Sequence, residues 1–308
     1  MSERLLSQLA HVEILTPVPE ESLRFYVDVL GMEETERVGQ SVYLRGWGEF
    51  FHHSIQLTEG PHAGLGHVGW RTFDEATLER AVQRLEAGGQ AIGWKDDNVG
   101  HGRGFRYTAP HGQQTHEVFW EVDRYQPPAA LAPTLPNRPQ RYVPRGAAVR
   151  SLDHVTITSP EILQDVAWYG ETLGHRFTEY IVAEDAPVEL CVFAMTTTVH
   201  LAHDMAIVLD HSGVPGRVNH VAFWVDQRDE LLRVAEGSSS TRTCRSSSAP
   251  AATGWASRTT STCASPAACA SSSTRVATAT SPRTGSRSSR RRRRARTRST
   301  ATSPCRTR

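Results

Sequence analysis

From Gly237 onward the chain contains no Leu, Ile, Phe, Tyr, Met, His, Lys, Asp, Glu, Asn or Gln. Ser, Thr, Ala, Arg, Pro, Gly and Cys dominate that segment, which therefore holds neither the apolar side chains of a core nor a side-chain carboxylate or imidazole for chemistry. Residues 1–236 lack other things. They carry one cysteine, Cys191, against four in the tail (Cys244, Cys263, Cys269, Cys305), which excludes a disulfide framework. No apolar run approaches the ~18 residues of a membrane span, and Met1 to Thr16 has no basic region followed by an apolar stretch, so the chain reads as cytoplasmic with no membrane partner. The net charge of +1 hides a division: 15 of the 34 Lys+Arg are tail arginines, leaving 19 basic residues against all 33 acidic ones in the body. An acidic body excludes a specific nucleic-acid partner, and the run Arg290 to Arg294 would bind phosphate without specificity.

What the body does have is a repeat. Leu9-Ala-His11-Val12-Glu-Ile14 matches Leu152-Asp-His154-Val155-Thr-Ile157 at an offset of 143 residues, and Phe25-Tyr26 with Leu30-Gly31 falls on Trp168-Tyr169 with Leu173-Gly174. Each unit starts with an alternating apolar strand, passes through Pro-Glu-Glu-Ser or Ser-Pro-Glu as an N-cap and acidic first turn, and forms an amphipathic helix closed by glycine. Further strands follow, at Ser41 to Leu44 and His53 to Leu57 in the first copy. A second module starts in each half at Gly66-His67-Val68-Gly-Trp70 and at Asn219-His220-Val221-Ala-Phe223, now offset by 153, which places a ten-residue insertion near Leu209 to Arg217. The fold class is α+β, built of βαβββ modules in two tandem domains. The expected boundaries are 1–130, a Pro-rich linker at 131–148, an incomplete second domain at 149–236, and a disordered tail at 237–308.

His154 and His220 stand early on the opening strands of two modules. Imidazoles on neighbouring strands can converge on one ion, and a carboxylate from a later strand would complete a 2-His-1-carboxylate site of the kind that holds non-haem Fe(II) with open positions. Alone, either histidine is more simply a hydrogen-bonded strand residue. The equivalent set His11, His67 and Glu117 in the first half makes the pattern architectural.

Six stretches carry a resemblance: Val42-Tyr-Leu-Arg45, Gly64-Leu-Gly-His67-Val-Gly-Trp70, Asn137-Arg-Pro, Val149-Arg-Ser-Leu-Asp-His154-Val, Ala202-His203-Asp204-Met-Ala206 and Gly216-Arg-Val-Asn-His220-Val-Ala-Phe-Trp224. Together they resemble the type I extradiol dioxygenases of the vicinal oxygen chelate superfamily, close to the catechol 2,3-dioxygenases. The resemblance implies a homo-oligomeric Fe(II) enzyme that cleaves catechol with O2 to 2-hydroxymuconate semialdehyde in aromatic catabolism. It also implies that His154 and His220 are metal ligands and that His203, rather than neighbouring His200, is the acid/base. In that family the metal sits in the second half, so His11, His67 and Glu117 are expected to be a vestigial echo. Two rivals stand beside this reading: a glyoxalase-like isomerase using Zn or Ni, and a metal-free small-molecule-binding module.

The resemblance places a third ligand, a glutamate, about fifty residues after His220, where this chain reads Cys269-Ala-Ser271-Ser272-Ser273-Thr274. A natural disordered tail, a basic nucleic-acid arm and a reading-frame error compete to explain it. Ser/Thr/Ala/Arg/Pro/Gly bias is what a GC-rich gene yields off frame, and the body's single lysine, Lys95, suits such a gene. Writing Ala252 to Ala279 in GC-leaning codons and moving one nucleotide recovers a Glu-Pro-Gly-Gly turn and an Arg-x-Glu-Leu strand, the glutamate codon straddling Ser271 and Ser272. The frameshift reading predicts one missing or extra base near the codons for Glu236 and Gly237, beside an otherwise open frame. Sequencing the gene checks this, and stop codons in that frame before Ser271 would refute it.

Overall fold

The computed structural model describes residues 3–182, 191–232 and 234, with the backbone of 260–262 and 293–294. In the first half β1 (Leu6–Thr16), helix α1 (Pro19–Arg24), β2 (Glu33–Val38), β3 (Ser41–Arg45) and β4 (Ile55–Glu59) form one module. The strands β5 (Gly64–Thr72), β6 (Ala91–Lys95), β7 (Gly104–Thr108) and β8 (Thr115–Phe119) form the next, with helix α2 (Glu75–Ala87) after β5. They join back to back in one sheet of order β2-β3-β4-β1-β5-β8-β7-β6. Within each module the first strand lies parallel to the last, β1 to β4 and β5 to β8, while the two first strands pair antiparallel. Apolar residues spaced for one helical face drive α2 onto the sheet through Leu78, Ala81, Val82 and Leu85.

The second half repeats this as far as it goes. The strand β9 (Ser151–Ser159), helix α3 (Ile162–Leu173), β10 (Arg176–Val182), β11 (Cys191–Thr197) and β12 (Met205–Leu209) make a third module, and β13 (Val218–Trp224) opens a fourth, leading into helical residues 228–232. Again the first strand is parallel to the last, β9 to β12, and antiparallel to the next module's opener, β13. Within the tail, β14 (Thr260–Thr262) pairs antiparallel with β13, and β15 (Arg293–Arg294) pairs with β10. The other residues of 237–308, where disorder is expected, lie outside the described residues.

Three local expectations are corrected. The offset between halves is already 150 at the parallel strands, Ile55 against Met205, so most of the extra residues enter between β10 and β11 and not near Leu209 to Arg217. Neither α1 nor α3 has a side-chain N-cap. Instead, hydroxyls two residues back close tight turns, Thr16 Oγ1 accepting from Val18 N–H and Ser159 Oγ from Glu161 N–H. The Pro-rich linker is docked. Gln140 is fully buried, its amide oxygen accepting from Arg45 and its amide nitrogen donating to Glu33. Near the linker's end the chain passes so close to Gly31 (φ +76°) that a Cβ there would lie 1.9 Å from the Arg145 carbonyl oxygen, which only glycine tolerates.

The halves meet through polar groups with no exposure. Asp165 on α3 accepts from the backbone N–H of His111 and Gly112, and Gln114 donates to the carbonyls of Thr158 and Arg217. Trp70 Nε1 donates to His116 Nδ1 at 3.0 Å, which leaves His116 Nε2 to donate to Tyr169 Oη at 2.8 Å. Both nitrogens are thus satisfied only while His116 is neutral. Burial, reinforced by nearby histidines, holds its pKa at about 3, and burial does the same to His175, whose ring meets Trp70 edge-on and Tyr169 at a tilt. The unfolded chain therefore takes up these protons first. Their stabilisation is complete above the ordinary value of 6.5 and is lost as pH falls toward about 3. Urea unfolding between about pH 6 and 4 should show a loss approaching about 1.4 kcal/mol per pH unit for each histidine, and His116→Gln should remove one proton's share of that slope. An unchanged slope in the variant would contradict the assignment.

Candidate functional site

The register of β1, β5 and β8 sets one row across the sheet. His11 pairs with Gly69, and Gly69 pairs with Glu117. Glycine in the middle of that row lets the ring sit close, since a Cβ at Gly69 would lie 2.3 Å from the His11 ring and push it aside. His67, two residues before Gly69 on the same face, completes the group. His11, His67 and Glu117 are buried, and their donor atoms all lie within 4.8 Å of one another, close enough to share one metal ion. His11 Nε2 is 2.8 Å from His67 Nε2, and Glu117 Oε2 is 3.4 Å from His67 Nε2. Glu13 Oε2 receives the His67 Nδ1 proton at 2.7 Å, and Arg106 Nε approaches Glu117 Oε1 at 3.4 Å. Although burial works against it, hydrogen bonds and charge from His67, with His101 and Arg106, hold Glu117 at about 2.

In the second half the same rule brings His154 on β9 and His220 on β13 together, Nε2 to Nε2 at 3.2 Å. Asp153 Oδ2 accepts from His154 Nδ1 and Asn219 Oδ1 from His220 Nδ1, each at 2.8 Å, so both Nε2 lone pairs turn toward one another, and the His220 one also accepts from the Thr156 hydroxyl at 3.1 Å. The ring of His203 lies 4.3 Å from that of His154. His200 is exposed on the turn before β12 and has no ring contact with this group among the described residues.

Among the described residues, a divalent ion finds two nitrogen donors here and no third. In the first half Gly69 faces Glu117 on a parallel strand; in the second, its counterpart Ala222 faces the backbone of Thr262 on an antiparallel one. A threonine is not an anionic ligand, and no Asp or Glu follows Glu236. Among the described residues, the complete three-donor group is the one in the first half.

Two residues escaped the sequence reading. His53 stands two places before β4, as His203 stands two places before β12, and its ring is 4.9 Å from His11. His101 places Nε2 3.4 Å from Glu117 Oε2. Comparing the halves at offset 150 would have found His53. His101 sits in the loop before β7 and has no repeat signal.

Residues 8–116 match the profile described as the Glyoxalase/Bleomycin resistance protein/Dioxygenase superfamily. A metapyrocatechase of Geobacillus stearothermophilus is 37% identical over 231 residues, 75% of this chain and 69% of that protein. The chain belongs to the metapyrocatechase family of extradiol dioxygenases. A manganese-dependent 2,3-dihydroxybiphenyl 1,2-dioxygenase of Geobacillus genomosp. 3 is 29% identical over 233 residues, 75% of this chain and 72% of that one. Among solved structures, a 2,3-dioxygenase of Pseudomonas sp. KL28 superposes with TM-score 0.67 at 23% identity, over 78% of this chain and 82% of that one, which shows the common fold. Membership makes the chain a dioxygenase-family enzyme by descent, working with a metal, a small molecule and O2. No helix among the described residues is long and apolar enough to cross a membrane.

Burial, with the charges of His154 and His220's neighbour His203, lowers the pKa of His220 to about 3. A depressed value means that this family member keeps a neutral, ligand-competent imidazole at His220 throughout the neutral range. Proton NMR of the metal-free protein should show no titration of the His220 Hε1 signal between pH 5 and 8. A midpoint near 6.5 would show that the ring is solvated and free.

Proposed function

We propose that this lineage carries out Fe(II)-dependent extradiol cleavage of catechol, and that the chain bearing this tail does not turn over. The observation that carries the first part is the convergence of His154 and His220 Nε2 at 3.2 Å with the His203 ring alongside. His154 and His220 would hold the metal, their rings fixed through Asp153 and Asn219. When bound, iron(II) supplies the redox chemistry by which O2 reacts with a catechol. Both oxygen atoms enter the product, 2-hydroxymuconate semialdehyde, and the ring opens beside the two hydroxyls. His203 acts as acid/base, taking and returning a proton at the reacting oxygen. One relative is named as manganese-dependent, and the imidazole pair plus carboxylate of the intact pattern suits either that ion or Fe(II). A homo-oligomer in the cytoplasm is part of the same reading.

The second part rests on the missing carboxylate. Two neutral imidazoles bind a divalent ion more weakly than a triad and do not balance its charge. The matched length of 231 residues is close to that of the body before Gly237, which supports a tail read out of frame. The frame-restored protein should form yellow ring-opened product from catechol, while the 308-residue chain should be slower by at least about 100-fold, beyond the cost of losing an outer-shell partner alone. Comparable turnover by the unrestored chain would remove the inactivity claim, and no oxygen uptake by the restored protein with any catechol would remove the function.

A further inference from the structure

We propose, against the expectation of a vestigial echo, that the first half binds a first-row divalent transition-metal ion of its own through His11 Nε2, His67 Nε2 and Glu117 Oε2, with His101 Nε2 beside Glu117. This site is separate from the His154/His220 pair and does not depend on the reaction proposed for that pair.

Hydrogen-bond partners fix where the ring protons sit. His67 Nδ1 lies 2.7 Å from a carboxylate oxygen of Glu13, and His101 Nδ1 lies 2.9 Å from the Gly102 carbonyl oxygen. Carboxylate and carbonyl oxygens only accept, so each ring carries its proton on Nδ1 and turns the Nε2 lone pair inward. Both Nε2 atoms face Glu117 Oε2 at 3.4 Å. That oxygen belongs to a side chain with no exposure and has no hydrogen bond, while its twin is approached by Arg106. Several acceptors aimed at one another in a buried space leave a polar atom unsatisfied unless a cation lies between them.

The spacing suits an ion. A tetrahedral site with bonds of about 2.0–2.1 Å keeps its donors about 3.3 Å apart, close to both 3.4 Å separations. The His11 to His67 distance, 2.8 Å, is shorter and would widen slightly on binding. Imidazole and carboxylate without thiolate select the Zn, Fe(II), Mn, Co and Ni group over the hard cations bound by oxygen alone. The Glu13–His67 contact is the carboxylate–histidine arrangement that orients metal ligands. The three donors are buried, with the His101 ring beside Glu117 and stacked 4.0 Å from Phe119, so an ion there would sit among protein groups and hold structure.

The test uses the full 308-residue chain, stripped with chelator and dialysed against Co(II) alone. A variant carrying H154A and H220A should still retain one equivalent, with the intense visible absorption of four-coordinate Co(II) and a raised melting temperature. Adding Glu117→Gln or His67→Gln to that variant should weaken Co(II) binding by at least about 10-fold, with unchanged circular dichroism. If either added variant fails to fold, X-ray absorption of the folded H154A/H220A protein decides, with histidine scattering and four ligands expected. No retained Co(II), a weak six-coordinate spectrum, or equal affinity after Glu117→Gln would overturn the proposal and leave His67 bridging its neighbours by a proton only.

Discussion

Everything chemical in this chain depends on one constraint of strand pairing: the opening strand of each half must lie parallel to its own module's last strand and antiparallel to the next module's first. In the first half β1 satisfies both, and the register puts His11 opposite Gly69 and Gly69 opposite Glu117. In the second half β9 satisfies both through β12 and β13, and His154 falls opposite Ala222. Donor groups fifty or more residues apart in sequence meet because the backbone ladder leaves them no other row. A one-residue slip would turn each histidine to the opposite face.

The same constraint explains why the two halves differ. A carboxylate reaches the row only from a strand parallel to the second module's opener, and such a strand must be delivered by a whole module: helix, two hairpin strands, then the return. The fourth module reaches β13 and helical residues 228–232, after which the chain loses the alternating apolar residues from which further strands of that sheet would be built. Losing one ligand is therefore a consequence of losing a folding unit, and no single substitution in the tail would restore it.

Much of this was legible because a repeat compares a sequence with itself. Leu9 to Ile14 against Leu152 to Ile157 located β1 and β9, and Gly66 to Trp70 against Asn219 to Phe223 located β5 and β13. What stayed hidden shares a cause: it depends on contacts between segments that no periodicity links. Asp165 reads as an ordinary helix residue, yet its burial follows from the turn at His111 and Gly112 packing against it. Gln140 reads as linker, yet Arg45 needs a buried partner and draws it in. His53 was visible in principle, but a single offset of 143 or 153 steps over it, because the extra residues between β10 and β11 shift that stretch to 150.

Charge separates the two histidine groups more sharply than geometry does. In the first half Glu13 and Glu117 face His67, whose pKa is raised by these two carboxylates despite burial. That cluster can balance its charge with a proton when no ion is bound and with an ion when one is, so the sheet around it need not reorganise between the two states. In the second half Asp153 is the carboxylate touching the ligand pair, and it does so through His154 Nδ1, on the side away from the shared point. An ion entering there would meet two neutral imidazoles and carry its charge uncompensated into a largely buried space, a cost that short donor distances do not repay. It follows that copying histidines between halves was not enough to copy a metal site. The carboxylate, which sets the charge balance, decides which half of this chain is the better host.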